Sequence, residues 1–481
     1  MIQTKIVATL GPATDSVEML KALIDAGVDV FRLNFSHGNL EQHALTLGRI
    51  RKACEETGSM AAVLGDLCGP KIRVDPVEDD AFEITRGDRI DIVAGHVVGN
   101  AGRISTNRPE LIGEVEAGHR VLIDDGNVRL RVEKSHADKL TCVCEVGGTI
   151  RTRKGLNLPD SMLQMSAMTD KDREDLAWAI ENQLDYVALS FVRSAADLHE
   201  LIGLLPLSGS EIRIVAKIET PAAITHLEEI IETADVVMVA RGDLGVEMEL
   251  AQVPVLQKKI VRMCQTAGKP AIVATQMLQS MVDSPTATRA EVSDVANAIL
   301  DGGDAIMLSA ETSVGAYPVE AVRMMGEIAR ETEAYLRSRN EAMRVDASRT
   351  LRRISTAVAH GASLLTRELD AKLVAVWTDT GNTARLLSKT RLNVPVIGLS
   401  PDLHVCRRMS MYYGITPIPA KRPERILQML HELDGILTRE ALVAIGDLIV
   451  VVAGTRLDKE GATNALLMHL VTGADSAPVF A

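Results

Sequence analysis

Eight short, almost unbroken runs of Val, Ile, Ala and Leu, set apart by amphipathic stretches, constrain this chain more than any other feature. They are Lys5–Leu10, Val28–Phe35, Ala61–Leu67, Tyr186–Phe191, Ile212–Ile218, Val236–Gly242, Pro270–Gln276 and Ala305–Ala310. A strand with one wet face alternates apolar with polar residues. A run apolar throughout belongs to a strand covered on both faces, as parallel strands are. The intervening stretches carry helix punctuation. Asp15 or Ser16 can cap a helix that Gly27 ends, and Thr169 with Asp172 makes a capping-box pattern before Leu176–Ile180. Eight parallel strands with helices between them predict a closed (β/α)8 barrel, a TIM barrel. Pattern alone leaves an open doubly wound sheet as the alternative.

The third and fourth runs are far apart, and the chain between them has a different texture. From Lys71 to Gln164, short alternating runs (Phe82–Ile84, Arg89–Val93, Arg120–Ile123, Val128–Val132, Leu140–Val146) are broken by Gly, Asn and Asp. They predict a small all-β domain inserted into a barrel loop. After Arg344 a further α/β region begins, with strands expected at Lys372–Trp377, Val394–Leu399 and Leu448–Val452, and helices at Ser348–Leu365 and Asn382–Lys389. The expected division is therefore 1–69 with 170–343 for the barrel, 70–169 for the inserted domain and 344–481 for a C-terminal α/β domain.

Charge narrows the partners. The net charge of −13 and the lack of a basic tract interleaved with aromatics argue against nucleic acid. No apolar run approaches the ~20 residues of a membrane span, and the segment Met1–Leu10 lacks a signal-peptide layout, so a cytoplasmic location is expected. The six cysteines are scattered. Cys142 and Cys144 alternate on one strand face, but no second pair completes a zinc site, which points to reduced thiols. An acidic protein acting on anions must concentrate its cations locally.

Charged and hydroxyl residues gather where the eight runs end. The second ends in Arg32, Asn34, Ser36 and His37, the third in Asp66 and the fourth in Ser190. The fifth carries Lys217 and Glu219, the sixth Arg241 and Asp243, the seventh Thr275 and Gln276, and the eighth Ser309 and Glu311. In a barrel these ends share one face, where such folds keep their ligands. Lys217 and Glu219 alternate and so point to the same side. With Asp243 past the next strand, two carboxylates can hold a hard divalent cation beside a fixed ammonium. The bland alternative is a structural Lys–Glu pair. The run Arg241–Gly245 puts glycines at a strand-to-helix junction, where free amides bind anions. No Gly-x-x-x-x-Gly-Lys-Ser/Thr loop is present.

Seven stretches in order, Thr4–Pro12 (TKIVATLGP), Arg32–Gly38 (RLNFSHG), Lys154–Pro159 (KGLNLP), Ala240–Gly245 (ARGDLG), Ala274–Leu278 (ATQML), Pro285–Glu291 (PTATRAE) and Leu308–Thr312 (LSAET), resemble pyruvate kinase over nearly the whole chain. The resemblance implies a TIM barrel with an inserted small β-barrel lid domain and a C-terminal α/β regulatory domain, and transfer of the phosphoryl group of phosphoenolpyruvate to ADP through an enolate, by a cytoplasmic homotetramer. It implies that Glu219 and Asp243 ligate Mg²⁺ or Mn²⁺ and that Arg32 and Lys217 hold the phosphoryl group. Gly242, Asp243 and Thr275 would take the substrate carboxylate, with Thr275 on the proton path. Asn34, Ser36, His37, Arg73 and Lys154 would face the nucleotide, and Asp125 its metal.

Two departures from the common family pattern stand out. Asn34, Ser36, Asp66 and the Leu67 carbonyl match a K⁺ site, but Leu67 replaces Thr and Lys71 replaces Glu, as in the K⁺-independent branch. A Lys71 ammonium in the place of K⁺ is the expectation. Thr220-Pro221-Ala222 departs from an acidic or polar pattern and reads as a turn. Thr378, Thr380, Gly381, Asn382 and Thr383 match the loop where relatives bind phosphorylated sugars or nucleotides, with Gly454–Asn464 as a second loop. A metal-dependent aldol lyase is the rival enzyme reading, and a silent effector-binding protein the non-enzyme one. Nucleotide dependence separates the first. Lys217, Glu219 and Thr275, all retained, speak against the second.

Overall fold

In the computed structural model, residues 2–161, 163, 165–206, 212–339, 353–455, 463–472 and 479–480 are described. The eight apolar runs are the staves of one closed parallel barrel, so the open-sheet alternative falls. The ring closes where Lys5–Thr9 pairs with Ala305–Leu308, in register from Lys5↔Ala305 to Ala8↔Leu308. Along each stave, alternate residues divide between two cores. Ile6, Phe31, Leu33 and Val63 pack outward with helix residues such as Leu20, Leu23 and Ile50. Val7, Val30, Leu64, Val215, Met238, Ile272 and Met307 face inward and fill the lumen. Each fully buried aliphatic side chain contributes roughly 1.5–3 kcal/mol relative to exposure.

The strands are shorter than the apolar runs, for local reasons. Val28 does not begin the second strand, which is Val30–Asn34. Its N–H instead bonds the carbonyl of Leu23, closing the helix that Ser16 caps and that Gly27, at φ 118°, terminates. The sixth strand, Val236–Ala240, stops because Arg241 opens a helix, and the seventh, Ala271–Ala274, stops at Thr275, whose φ is +72°. Thr169 and Asp172 form the expected capping box.

The insert is all-β with its own core, including Ile90, Ile104, Val121, Leu130, Leu140 and Cys142. Its ladders form a mixed six-stranded sheet and a two-stranded ribbon rather than one closed ring. Arg103–Ser105, Gly148–Arg151 and Leu156–Asn157 are strands too short for alternation to betray. All six cysteines are free thiols.

The C-terminal sheet has six strands, in the spatial order Ile415–Pro419, Val396–Ser400, Leu373–Trp377, Leu448–Gly454, Thr463–Leu470 and Val479–Phe480. The first four are parallel and the last two pair antiparallel. Ile415–Pro419 escapes sequence reading because Pro417 and Pro419 break a strand pattern, yet an edge position tolerates them. Residues 340–352, with the start of the expected helix Ser348–Leu365, and most of the second effector loop lie outside the described residues; the helix is described as Arg353–Glu368. Tyr186, at the start of the fourth stave, donates its hydroxyl to the Arg408 carbonyl at 2.6 Å, tying the barrel floor to this domain. Among the described residues, no helix is long and apolar enough to cross a membrane.

Candidate active site

The C-terminal ends of the staves bring six side chains into one largely buried cluster. Lys217 Nζ donates to Ser190 Oγ at 2.7 Å and lies 2.9 Å from Glu219 Oε1 and 3.3 Å from Asp66 Oδ1. Asp66 Oδ2 accepts from Arg32 Nε at 2.7 Å, and Arg32 Nη1 donates to Thr9 Oγ1 at 3.0 Å. Burial alone lowers the pKa of Lys217, but Asp66, Glu219 and Asp243 overcome it and hold the ammonium above the ordinary lysine range. Burial likewise pushes Asp66 up, and Lys217 and Arg32 more than reverse it. Glu219 is fully buried. Desolvation raises its carboxyl to about 6 against the pull of Lys217, with Asp243 adding to the rise.

That carboxylate is half-satisfied. Glu219 Oε2 accepts the Phe191 amide at 2.7 Å, while Oε1 accepts no well-directed hydrogen bond despite its closeness to Lys217. A buried oxygen of this kind beside a second carboxylate, Asp243, is a hard donor set that fits a divalent cation. Asp243 sits in the first turn of the helix Arg241–Glu247. The Gly242 amide, expected to be free for an anion, is taken by Thr275 Oγ1 at 2.7 Å, so a substrate carboxylate has to share or displace that bond. Thr275 holds φ +72°, a costly conformation for a β-branched residue. Arg241 clamps it there, donating to the carbonyls of Thr275 at 2.7 Å and Ala274 at 3.2 Å while pairing with Asp294.

Between this face and the lid lies a cavity of about 630 Å³. Asp125, Gly242, Asp243 and Lys71 line it together with Arg120, Arg129 and Arg131 of the lid. This is the local concentration of cations that an acidic chain needs to receive phosphates. Asp125, at φ 54°, occupies the tip of an Asp124-Asp125-Gly126 turn. Arg73 and Lys154 sit together at the lid hinge, through the Arg73↔Gly155 bridge and the Val74 amide on the Lys154 carbonyl. Lys154 Nζ pairs with Asp124 at 2.8 Å and does not reach the Lys217 cluster. Asn34 ends the second stave and Ser36 and His37 follow it, with Asn34 Oδ1 accepting the Ser36 amide at 3.1 Å; Ser36 and His37 are exposed.

The family model for the pyruvate kinase barrel domain matches residues 1–322, and that for the pyruvate kinase alpha/beta domain matches residues 356–469. The chain belongs to the pyruvate kinase family. It is 41% identical over 480 residues to a pyruvate kinase of Agrobacterium vitis, covering 99% of this chain and 98% of the other. It is 40% identical over 475 residues to one of Geobacillus stearothermophilus, covering 98% of this chain and 80% of that relative. A solved pyruvate kinase structure from Cryptosporidium parvum superposes with a TM-score of 0.91 at 33% identity, covering 98% of this chain and 96% of that one. Like other pyruvate kinases, the protein is a phosphotransferase.

Lys71, the expected stand-in for K⁺, is exposed and lines the cavities between lid and barrel. An ammonium that touches the Asn34–Ser36 loop is that of Lys171, which donates to the Phe35 carbonyl at 2.9 Å and pairs with Asp175 at 2.6 Å. The Leu67 carbonyl accepts from Ser190 Oγ at 2.7 Å. Thr220 caps the short helix Pro221–Thr225, which accounts for the second departure as an ordinary turn. In the effector-loop segment, Thr378 Oγ1 accepts the Gly381 amide at 3.0 Å, Asn382 bonds Thr380 and Thr383 meets Thr463. Sequence reasoning missed Lys171, Glu247 and its partner Asn157. For Glu247 a signal existed: it follows Asp243 by four residues and therefore shares its helix face.

Proposed function

We propose that this chain moves the phosphoryl group of phosphoenolpyruvate to ADP in the cavity under the lid, with Lys217 as the central catalytic cation. The observation that carries this reading is the buried cluster of Lys217, Glu219, Asp66 and Arg32 at the open end of the barrel. Phosphoryl transfer is achieved mostly by positioning and by neutralising charge on oxygens. Arg32 and Lys217 would hold the transferring group, Arg32 kept in place by Asp66 and Thr9. Glu219 and Asp243 would hold the divalent cation, Mg²⁺ or Mn²⁺, which when bound supplies further neutralisation of phosphate and enolate charge. Loss of the phosphoryl group leaves an enolate, and Lys217, locked by three partners, meets that developing charge without reorganising. Gly242, Asp243 and Thr275 would fix the carboxylate, with Thr275 on the path by which carbon is protonated to give pyruvate. Arg73, Lys154, Asn34, Ser36 and His37 would meet ADP, Lys154 exchanging its Asp124 partner for phosphate, and Asp125 would approach the nucleotide's metal.

A coupled assay of pyruvate formation with and without ADP and Mg²⁺ tests the reading. Dependence on both is expected, and turnover of a 2-oxo acid aldol without nucleotide would instead favour the lyase. We also propose activity without added K⁺. Lys71 is the resemblance-based candidate for the cation's role, and Lys171 is an ammonium that contacts the loop at the Phe35 carbonyl. Assay in tetramethylammonium buffer decides the point: rates near zero that K⁺ rescues would refute it. The Thr378–Thr383 loop is proposed to take a phosphorylated sugar or nucleotide, and the family's homotetramer is proposed for assembly. Unchanged phosphoenolpyruvate saturation in the presence of sugar phosphates and AMP, or a monomer in sedimentation, would remove these two in turn.

A further inference from the structure

The chain leaves the barrel after the third stave, Ala62–Asp66, and returns to it at the helix Asp170–Glu181, with the all-β insert between. One carboxylate spans both crossings. Asp172, fully buried, accepts the Gly69 amide with Oδ1 at 3.2 Å, and with Oδ2 the Thr169 amide at 2.8 Å and hydroxyl at 2.6 Å. Its neighbour Lys171 extends the clasp to a third segment. The Lys171 ammonium donates to the Phe35 carbonyl at 2.9 Å and pairs with Asp175, one turn along the same helix, at 2.6 Å. The Phe35 ring packs edge-on against Trp178 of that helix, with centroids 5.8 Å apart. The outgoing chain, the returning chain and the turn after the second stave therefore meet on one helix.

That turn carries Asn34, Ser36 and His37. Inside it, Asn34 accepts the Ser36 amide through Oδ1 and the His37 amide through its carbonyl, each at 3.1 Å. Such bonds shape a turn without fixing where it stands. Its ties to the rest of the barrel are the Phe35 amide on the Asp66 carbonyl at 3.1 Å, His43 Nε2 on the His37 carbonyl at 2.9 Å, a bond between Ser36 and the Cys68 thiol, and Lys171. Burial lowers the pKa of His43, so its imidazole is a neutral partner, and Lys171 supplies the one charge-assisted bond of the set. Arg32, just upstream, is held differently, by Asp66 and Thr9, neither of which belongs to the turn. The nucleotide side and the phosphoryl side of the site are thus anchored by separate groups.

We propose that Lys171 is a positioning residue for the nucleotide: by holding the Phe35 carbonyl it sets the turn bearing Asn34, Ser36 and His37 against the junction where the insert leaves and re-enters the barrel. It acts through the turn rather than on the reacting atoms, and its role rests on the proposed contact of those three residues with ADP. The junction matters because Arg73, the proposed nucleotide contact of the insert, follows Gly69 by only four residues. Lys171 and Asp172, adjacent on one helix, therefore set both nucleotide-facing groups in a fixed relation, and misplacement of such groups weakens binding steeply. A plainer role for Lys171 is to neutralise Asp175, whose carboxyl burial pushes up against the pull of this lysine. The two roles part when both charges are removed together.

The experiment compares wild type with Lys171→Met, Lys171→Arg and the double variant Lys171→Met/Asp175→Asn, by steady-state kinetics in ADP and in phosphoenolpyruvate. Mg²⁺ and K⁺ are present throughout, which keeps the outcome independent of the monovalent-cation question. Lys171→Met is expected to raise KM for ADP about tenfold, the loss of one charge-assisted bond, with KM for phosphoenolpyruvate and kcat changed by less than about twofold. Lys171→Arg, which keeps a charged donor, should recover most of the affinity for ADP. The double variant should keep the defect, because the Phe35 carbonyl still lacks its donor. Recovery in the double variant overturns the proposal and leaves Lys171 as the counterion of Asp175. An unchanged KM for ADP, or equal rises for both substrates, overturns it as well. Should Lys171→Met fail to fold, as judged by its thermal midpoint, Lys171→Gln takes its place under the same criteria. Wild type that makes pyruvate without ADP would instead refute the phosphoryl-transfer reading itself, a result visible before any variant is assayed.

Discussion

Lys217 shows how much one side chain can owe to its surroundings. Its ammonium is held charged in a buried site by three carboxylates and oriented by Ser190, so it is placed before any substrate arrives. Lys217→Met is expected to cut kcat by about 10²–10³-fold, the loss typical of one preorganised donor, with the thermal midpoint as a control for folding. Glu247 offers a pH readout. Desolvation pushes its carboxyl up to about 7, and the bond from Asn157 Nδ2 at 2.6 Å only partly offsets this. An unfolded glutamate gives up its proton near 4.5, so between 4.5 and 7 the folded state binds more protons and stability falls as pH rises. The full cost, on the order of 3 kcal/mol at most, is present above pH 7. In chelator, Glu247→Gln should therefore melt with the wild type near pH 4.5 and above it at pH 8. A gap that narrows toward pH 8 would contradict the assignment.

At the scale of elements, the join between lid and barrel decides how the cavity is sealed. Asn157 lies on the strand Leu156–Asn157, which pairs with Arg120–Ile123 of the lid, and its amide reaches across to Glu247 on the barrel helix. Arg120 makes a parallel link, to Asp160 at 2.7 Å and to Glu249 at 3.4 Å. Asn157→Ala removes the donor to a buried carboxylate, at a cost of about 1–3 kcal/mol. Faster amide exchange in Arg120–Ile123 and a raised KM for ADP are the expected signs, and unchanged exchange would show that the join does not hold the lid. This is also the scale at which sequence and structure part company. The eight staves and the residues at their ends were legible because strands buried on both faces need unbroken apolar runs, and a barrel then has only one place to put the polar ends. Contacts between distant segments were not. Nothing in the periodicity says that Thr275 occupies the Gly242 amide, that Lys171 rather than Lys71 meets the Phe35 carbonyl, or that Pro417 and Pro419 sit on an edge strand. Each depends on which loops pack together, and local spacing carries no record of that.

For the whole molecule, the C-terminal domain is anchored by charge as well as by apolar packing. Lys389 Nζ lies 2.6 Å from Asp304 Oδ2 with both side chains fully buried, and Arg391 adds a second contact to Asp304 at 3.3 Å. Truncating one member of a buried pair strands the other, so Lys389→Met is expected to lower stability by about 3–5 kcal/mol. A calorimetric scan should show the melting of the C-terminal domain shifted to lower temperature, and an unshifted scan would assign the anchoring to hydrophobic contact alone. The closure of the ring between Lys5–Thr9 and Ala305–Leu308 has a consequence for biosynthesis. A ribosome releases the first stave long before its final neighbour, so one edge of the nascent sheet stays unpaired for a time on the order of tens of seconds. Throughout that interval the newborn chain offers an open apolar edge to any other strand it meets, which makes it a natural client for chaperones until the last stave emerges.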